Sequence, residues 1–263
     1  MRKLCLVVSL SCALVAPAHA ELRISEVNYE VNGTSFTGYL AYDDSVSGER
    51  PGVLVVHEWW GHNAFARGQA EKLARAGYTA FALDMYGSGK VADHPDTAGR
   101  FSKEATAKFQ QVVDRFNKAR EILADHETVN PKHIAAQGYC FGGAVVLNMA
   151  RSGADLDGVV SYHGSLGGLV PAEAGAVDAR VLVYTGGADN FVPPDQVAGF
   201  VKEMQEAGAD LTLVSFPGVK HSFMNPGADD YAEEFGMPIA YDAEAAGRAW
   251  QGTLEFYRAI FAQ

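Results

Sequence analysis

The most informative segment of the sequence is Gln137-Gly138-Tyr139-Cys140-Phe141-Gly142-Gly143. Apolar runs before and after it predict a strand, a sharp turn and a helix. Gly138 and Gly142 flank Cys140 at the spacing of a nucleophile elbow, whose central residue is held at a strained positive φ and needs small neighbours. At the start of the helix, free N–H groups and the helix dipole favour a thiolate. A small buried cysteine in a glycine-rich turn would give the same pattern.

The first twenty residues have the pattern of a bacterial secretory signal peptide. Arg2 and Lys3 precede an uncharged apolar run, and Ala18-His19-Ala20 provides an A-x-A cleavage site. The apolar run is too short for a membrane-spanning helix. We therefore expect residues 1–20 to be removed and residues 21–263 to form a single domain that is periplasmic or secreted, without a membrane anchor.

Charge and cysteine content limit the partners of the mature chain. The 263-residue sequence has a net charge of −11 at pH 7, and loss of the leader would make it more negative. This acidic balance argues against nucleic acid or an anionic membrane as a partner. Loss of Cys5 and Cys12 would leave Cys140 alone, so no intrachain disulfide would form. A lone thiol in an oxidising compartment is a liability unless it is buried or used. We expect a monomer.

The remaining apolar patterns alternate between strands and helices. A hairpin is predicted around Asn32-Gly33. Strands are then predicted at 52–56, 79–83, 133–138, 158–162, 181–185 and 211–216, and helices at 64–76, 102–124, 141–151, 195–207 and 243–261. This order predicts an α/β fold with a mainly parallel, doubly wound sheet behind an N-terminal antiparallel hairpin. Ligands of such sheets bind at the carboxyl ends of the strands.

Two later strand ends carry the groups that a nucleophilic cysteine needs. Asp189 follows the strand at 181–185, and His221 follows the strand at 211–216. The order nucleophile, acid, histidine is that of the α/β-hydrolase triad. His221 would take the thiol proton and later protonate the leaving group, while Asp189 would orient the imidazole. Taken singly, each could be an ordinary loop residue.

The loop His57-Glu58-Trp59-Trp60-Gly61-His62 follows the first buried strand. In a hydrolase this loop supplies the second oxyanion donor, so the backbone N–H groups of Trp59 and Phe141 are predicted to face the developing oxyanion. Glu58 is predicted to lie near the thiol and to hold it protonated by accepting its S–H. A solvent-facing Glu58 is the alternative. No metal is expected, because a zinc helix motif needs histidine where Gly61 stands.

Aromatic residues are frequent in the loops that follow strands. Together they predict a concave apolar wall suited to a small ester or lactone, although some of them will belong to the core. We interpret His163, which also follows a strand, as a packed or hydrogen-bonded loop residue rather than a second base. The predicted pocket residues are Trp60, Tyr86, Tyr139, Phe191 and Phe223.

These segments together resemble the dienelactone hydrolase (carboxymethylenebutenolidase) family. The resemblance implies a Cys140, Asp189 and His221 triad, with Glu58 as the partner of the resting thiol. It also implies hydrolysis of an ester or lactone through a thioester, with no cofactor. The matching pieces are His57-Glu58-Trp59-Trp60-Gly61, Asp84-Met85-Tyr86, Gly138-Tyr139-Cys140-Phe141-Gly142-Gly143, Gly186-Gly187-Ala188-Asp189-Asn190-Phe191-Val192-Pro193 and His221-Ser222-Phe223.

The sequence departs from that resemblance at two positions. Ser88 and Asn225 stand where members that cleave dienelactone resemble one another in having carboxylate-binding arginines. Without two guanidinium groups, bidentate capture of a carboxylate is not expected there, and Lys90 or Lys220 would act only as point charges. The leading interpretation is an exported cysteine hydrolase of small esters or lactones. The alternative is a non-catalytic or redox-sensing binding protein on the same scaffold, with Cys140 reversibly oxidised.

Overall fold

A computed structural model of the protein describes residues 21–262, and the predicted signal peptide lies outside them. Within this range one sheet contains eight strands: β1 (Leu22–Val31), β2 (Thr34–Asp43), β3 (Arg50–Val56), β4 (Thr79–Leu83), β5 (Val129–Tyr139), β6 (Gly158–Tyr162), β7 (Arg180–Gly186) and β8 (Leu211–Phe216). The helices of the same range are α1 (Ala64–Arg75), α2 (Pro95–Thr106), α3 (Phe109–Ala124), α4 (Phe141–Arg151), α5 (Pro194–Ala207), α6 (Ala228–Phe235) and α7 (Ala243–Phe261). In this part of the chain, none of the helices has the length and apolar character needed to cross a membrane.

The strands lie in the order β1-β2-β4-β3-β5-β6-β7-β8 across the sheet. β1 and β2 pair antiparallel, as do β2 and β4, while the strands from β4 through β8 pair parallel with their neighbours. Parallel neighbours require crossover connections, which helices supply except between β6 and β7, where residues 163–179 form a loop. The predicted mainly parallel sheet behind an antiparallel hairpin is therefore confirmed. At the hairpin, Asn32 and Gly33 both have positive φ, of 50° and 76°, as a two-residue type I′ turn requires.

The sheet separates two apolar cores. Leu54 and Val56 of β3 point into a core shared with α3, α4 and α5, and Val53 and Val55 point into a core shared with α1 and α7. All four side chains are fully buried. Each contributes about 1.5–3 kcal/mol by leaving water. β3 is thereby fixed at the centre of the sheet, and the loop that begins at His57 is fixed with it.

The structure corrects two helix predictions. The helix predicted over 102–124 is two helices, α2 and α3, because Lys108 adopts an extended conformation with φ −133°. Neither glycine nor proline marks this break, so the periodic pattern runs through it. Helix α2 instead begins at Pro95, where a proline at the first helical position is favourable. Helix α6, which was not predicted, follows the loop that contains His221.

Candidate active site

Cys140 lies in the sharp turn between β5 and α4, with φ 50° and ψ −112°. The glycines on either side make this turn possible. A Cβ atom on Gly138 would lie 2.1 Å from the carbonyl oxygen of Gly142, and one on Gly142 would lie 2.2 Å from that of Val56. Such contacts are far inside van der Waals distance, so only glycine fits at these two positions. The predicted strained elbow is confirmed, and the thiol stands at the N-terminus of α4.

The imidazole of His221 lies between Asp189 and Cys140. Its Nδ1–H donates to Asp189 Oδ2 at 2.7 Å, and its ring lines the same cavity as the Cys140 thiol. Asp189 is held in turn by the backbone N–H of Phe191, which donates to Oδ1 at 2.8 Å. Histidine and aspartate are both buried, with 6% and 5% of their surfaces exposed. The three side chains predicted to act together therefore meet at the carboxyl ends of β5, β7 and β8.

The electrostatics of this group favour a charged imidazole once the Cys140 thiol is ionised. Burial by itself lowers the pKa of His221, but negative charge on Cys140 and on Asp189 outweighs it and raises that pKa to about 10. An imidazolium next to the sulfur stabilises a thiolate. The arrangement can therefore hold the ion pair that a cysteine nucleophile needs, and the imidazolium carries a proton that can be given to a leaving group.

Trp59 and Phe141, the two predicted oxyanion donors, line one depression together with Cys140. Phe141 is the first residue of α4, so its N–H has no intrahelical acceptor. Within residues 21–262, neither this N–H nor that of Trp59 donates to a protein acceptor. Trp59 is fixed by Tyr86, whose hydroxyl donates to the Trp59 carbonyl oxygen at 3.1 Å. Donors left free beside a nucleophile are what an oxyanion hole requires.

Glu58 is buried, with 2% of its surface exposed, which excludes the solvent-facing alternative. Asn225 Nδ2 donates to Glu58 Oε2 at 2.6 Å. In the part of the chain that the structure describes, Glu58 Oε1 is buried without a hydrogen-bond partner. Burial raises the pKa of Glu58 to about 7, although the Asn225 hydrogen bond and the charge on His221 oppose this rise. Glu58 is thus poised to exchange a proton near neutral pH.

His163 contributes to the elbow in a way that the sequence did not specify. It is fully buried with φ 40°, and its Nδ1 accepts from the backbone N–H of Cys140 at 3.2 Å, a donor that it shares with the Tyr162 carbonyl oxygen at 3.0 Å. Burial and the nearby His221 hold the pKa of His163 well below its usual range, so the ring is neutral. A neutral ring can accept this bond, and His163 thereby supports the backbone of the nucleophile.

A cavity of about 110 Å³ opens at the thiol. Among the predicted pocket residues, Phe191 lines it, as does the side chain of Trp59. Two further wall residues, Met237 and Ile239, were missed because they lie between α6 and α7, where no motif points to them. The full lining of the cavity is Trp59, Cys140, Phe191, His221, Ser222, Met237 and Ile239.

Four predicted pocket residues are absent from this lining. Trp60 is 1% exposed and stacks on Tyr231, with 4.1 Å between ring centroids. Tyr139 and Phe223 are completely buried, because their side chains point to the face of the sheet that packs against α1 and α7. Tyr86 braces Trp59 and lines a separate cavity of about 160 Å³.

Ser88 and Asn225, the two positions that depart from the resemblance, lie in different surroundings. Ser88 is exposed, and its hydroxyl lies 3.0 Å from that of Thr37. Asn225 is buried and engaged by Glu58 and by the N–H of Gly227, which donates to Asn225 Oδ1 at 2.9 Å. Lys90 and Lys220 are exposed, and neither lines the cavity at the thiol.

The sheet order, the elbow and the strand-end positions of Cys140, Asp189 and His221 define an α/β-hydrolase. Comparison with known proteins narrows this class. The sequence pattern described as "Dienelactone hydrolase family" matches residues 36–261. The chain belongs to the dienelactone hydrolase family, which confirms both the resemblance and the predicted enzyme class. Membership also implies a small-molecule substrate.

Three similar proteins illustrate the relationship. A putative carboxymethylenebutenolidase of Aquifex aeolicus is 31% identical over 237 residues, which are 88% of this chain and 96% of the relative. The crystal structure of a dienelactone hydrolase-like promiscuous phosphotriesterase from metagenomic libraries has a TM-score of 0.85 and 30% identity, covering 92% of this chain and 99% of that one. A putative dienelactone hydrolase of Klebsiella pneumoniae shares the fold, with a TM-score of 0.74 and 24% identity over 90% of this chain and 98% of that one.

Proposed function

We propose that the protein is an exported, cysteine-dependent hydrolase of small carboxylic esters or lactones that works through a thioester intermediate. The observation that carries the proposal is the position of Cys140 at a strained elbow, against an imidazole whose other nitrogen donates to Asp189 at 2.7 Å. Export rests on the sequence of residues 1–20 alone. N-terminal sequencing of the protein from a periplasmic fraction tests it, with Glu21 expected as the first residue.

The geometry supports the following sequence of steps. The Cys140 thiolate attacks the ester carbonyl carbon, and the carbonyl oxygen becomes an oxyanion that accepts from the N–H groups of Trp59 and Phe141. Collapse of this intermediate breaks the bond to the leaving oxygen, which takes the proton of His221. The thioester is then attacked by water, from which His221 removes a proton. Release of the acid returns the thiol.

Glu58 has a place in the resting enzyme. We propose that it accepts the S–H of Cys140 and so keeps the nucleophile as a thiol until substrate arrives. Support comes from its burial, from the unpartnered Oε1 and from a pKa raised to about 7, which leaves the carboxylate ready to take or give a proton. Asn225 fixes the other oxygen and so determines where Oε1 can point.

A panel of esters and lactones, with and without a free carboxylate, tests the proposal. We expect Cys140→Ala to abolish hydrolysis and Asp189→Asn to lower kcat by several orders of magnitude, because the imidazole loses its orienting acceptor. Cys140 is the single cysteine of residues 21–263, so iodoacetamide should inactivate in step with loss of one thiol. Gly68→Ala, on the open face of α1, is the matched control and should keep full activity.

Other outcomes of the same panel would contradict this function. No turnover, together with ready sulfenic acid formation at Cys140, would favour a redox-sensing binding protein. A strong preference for carboxylate-bearing lactones would contradict the inference from Ser88 and Asn225.

Phosphotriesters are a second candidate substrate class. The similar metagenomic protein is described as a promiscuous phosphotriesterase. A thiolate with two free N–H donors can in principle attack phosphorus as it attacks carbon. An aryl dialkyl phosphate and a carboxylic ester should both be assayed with the wild type and with Cys140→Ala. The substrate with the higher Cys140-dependent kcat/KM identifies the preferred class.

A further inference from the structure

The segment 236–242, between α6 and α7, forms one wall of the cavity at the thiol. We call it the strap. The N–H of Ala240 donates to the His221 carbonyl oxygen at 3.1 Å, and that of Asp242 donates to the Phe223 carbonyl oxygen at 3.2 Å. The N–H of Tyr241 donates to Asp229 Oδ1 at 3.0 Å. Because the first two of these bonds join the strap to the backbone of residues 221–223, which we call the histidine loop, the strap is held beside His221.

Two depressions meet at Cys140, and Trp59 borders both. The apolar recess is the cavity of about 110 Å³ in which the strap residues Met237 and Ile239 face His221. The outer groove is a larger, more open depression of about 430 Å³ that also reaches the thiol. The groove is lined by Trp59, Ser102, Lys103, Thr106, Cys140, Phe141, Ala144 and Ser165. An ester attacked by Cys140 has two substituents, and two depressions are available for them.

The position of the general acid determines which substituent enters which depression. The leaving oxygen must come within hydrogen-bond reach of the imidazole to receive its proton. His221 lines the apolar recess and is absent from the lining of the outer groove. We propose that the apolar recess binds the alcohol portion of the ester and restricts it to short aliphatic alcohols, with Met237 and Ile239 setting the limit. This inference rests on the proposed hydrolase function.

The volume of the recess supports a size limit. A cavity of about 150 Å³ lined by aliphatic and aromatic side chains accommodates benzene, and water occupies about 30 Å³ per molecule. A recess of about 110 Å³ therefore suits an alkyl group of about three or four carbons. Ile239 is only 3% exposed, so the wall is packed from behind. Apart from Cys140, His221 and Ser222 the lining is apolar, so a charged or strongly hydrated alcohol would lose hydration in the recess.

Two ester series test the inference. The first keeps the acid constant and lengthens the alcohol from methyl to octyl, and the second keeps ethanol constant and lengthens the acid. We expect kcat/KM in the first series to peak at propyl or butyl and to fall about tenfold or more by hexyl. Met237→Ala should recover about tenfold for the hexyl ester, and the milder Ile239→Val should recover less. Neither variant should change the profile of the second series. Leu169→Ala, an exposed residue away from the recess, is the control.

Each outcome distinguishes the inference from the proposed function. A flat alcohol profile, or variants that alter the acid profile instead, would overturn the inference while hydrolysis stands. If no ester is cleaved, the proposed function fails, and S-methyl alkanethiosulfonates still probe the recess, because their alkyl chain belongs to the leaving group. The methylthio group forms a disulfide with Cys140, the alkanesulfinate leaves, and the thiol proton passes to His221. Mass spectrometry should show slower labelling by hexyl than by propyl reagent, with Met237→Ala narrowing the difference. Equal rates in the wild type would overturn the inference.

Discussion

Replacement of Glu58 by glutamine should change how stability depends on pH. Burial raises the pKa of Glu58 from 4.5 to about 7 in the folded protein. Below pH 4.5 the carboxyl is protonated in both states, so it has no effect on folding. Between pH 4.5 and 7 the unfolded chain releases a proton that the folded chain retains, so stability falls as the pH rises. Above pH 7 this loss is complete, at about 3 kcal/mol.

Glu58→Gln keeps the shape of the side chain and removes the titration. We expect the free energy of unfolding of the variant, measured in urea relative to the wild type, to increase by about 2–3 kcal/mol between pH 5 and pH 8. Taking the difference between the two proteins cancels the other groups that titrate in this window. Glu233→Gln, at an exposed position of α6, is the control and should run parallel to the wild type. If the curves for Glu58→Gln and the wild type are also parallel, the burial argument for Glu58 is refuted.

Two further predictions concern packing. Gly138→Ala should destabilise the protein by about 3 kcal/mol or more and abolish thiol reactivity, because its Cβ would overlap Gly142. The control Gly68→Ala has open space around its Cβ and should be neutral or stabilising by about 0.5–1 kcal/mol. Thermal unfolding and iodoacetamide labelling measure both, and an intact elbow in Gly138→Ala would contradict the reasoning. Glu203→Ala should cost about 3 kcal/mol in urea unfolding, since Arg151, whose side chain is fully buried, donates to both oxygens of that carboxylate. A cost under about 1 kcal/mol would show that Arg151 finds another partner.

Backbone-determined features of the site were accessible from the sequence. Gly138 and Gly142 predict the elbow, because the close approach of two backbones leaves no alternative to glycine. Asp189 and His221 could be identified because they follow strands whose β-branched and apolar composition is plain. These features depend on local geometry and chain order, and a single sequence contains both.

The direction of side chains was less accessible. Tyr139 and Phe223 lie near strand ends, as the pocket residues do, yet their side chains face the core shared with α1 and α7. Chain order places a residue at the right edge without saying which face it points to. Met237 and Ile239 line the cavity at the thiol only because the strap folds back and bonds to the backbone of residues 221–223. Such long-range contacts leave no periodic signal.

The replacement at Asn225 connects the electrostatics of the site to its substrate. An arginine at this position would place a fixed positive charge beside Glu58 and hold the glutamate ionised. Asn225 donates a neutral hydrogen bond instead, so burial dominates and Glu58 has a pKa of about 7. Toward the alkaline side of neutrality the site then gains a negative charge, and a substrate carboxylate would meet repulsion there. With the other expected arginine position taken by the exposed Ser88, and with an apolar recess next to His221, the proposed hydrolase would select its substrates by size and apolar contact rather than by charge.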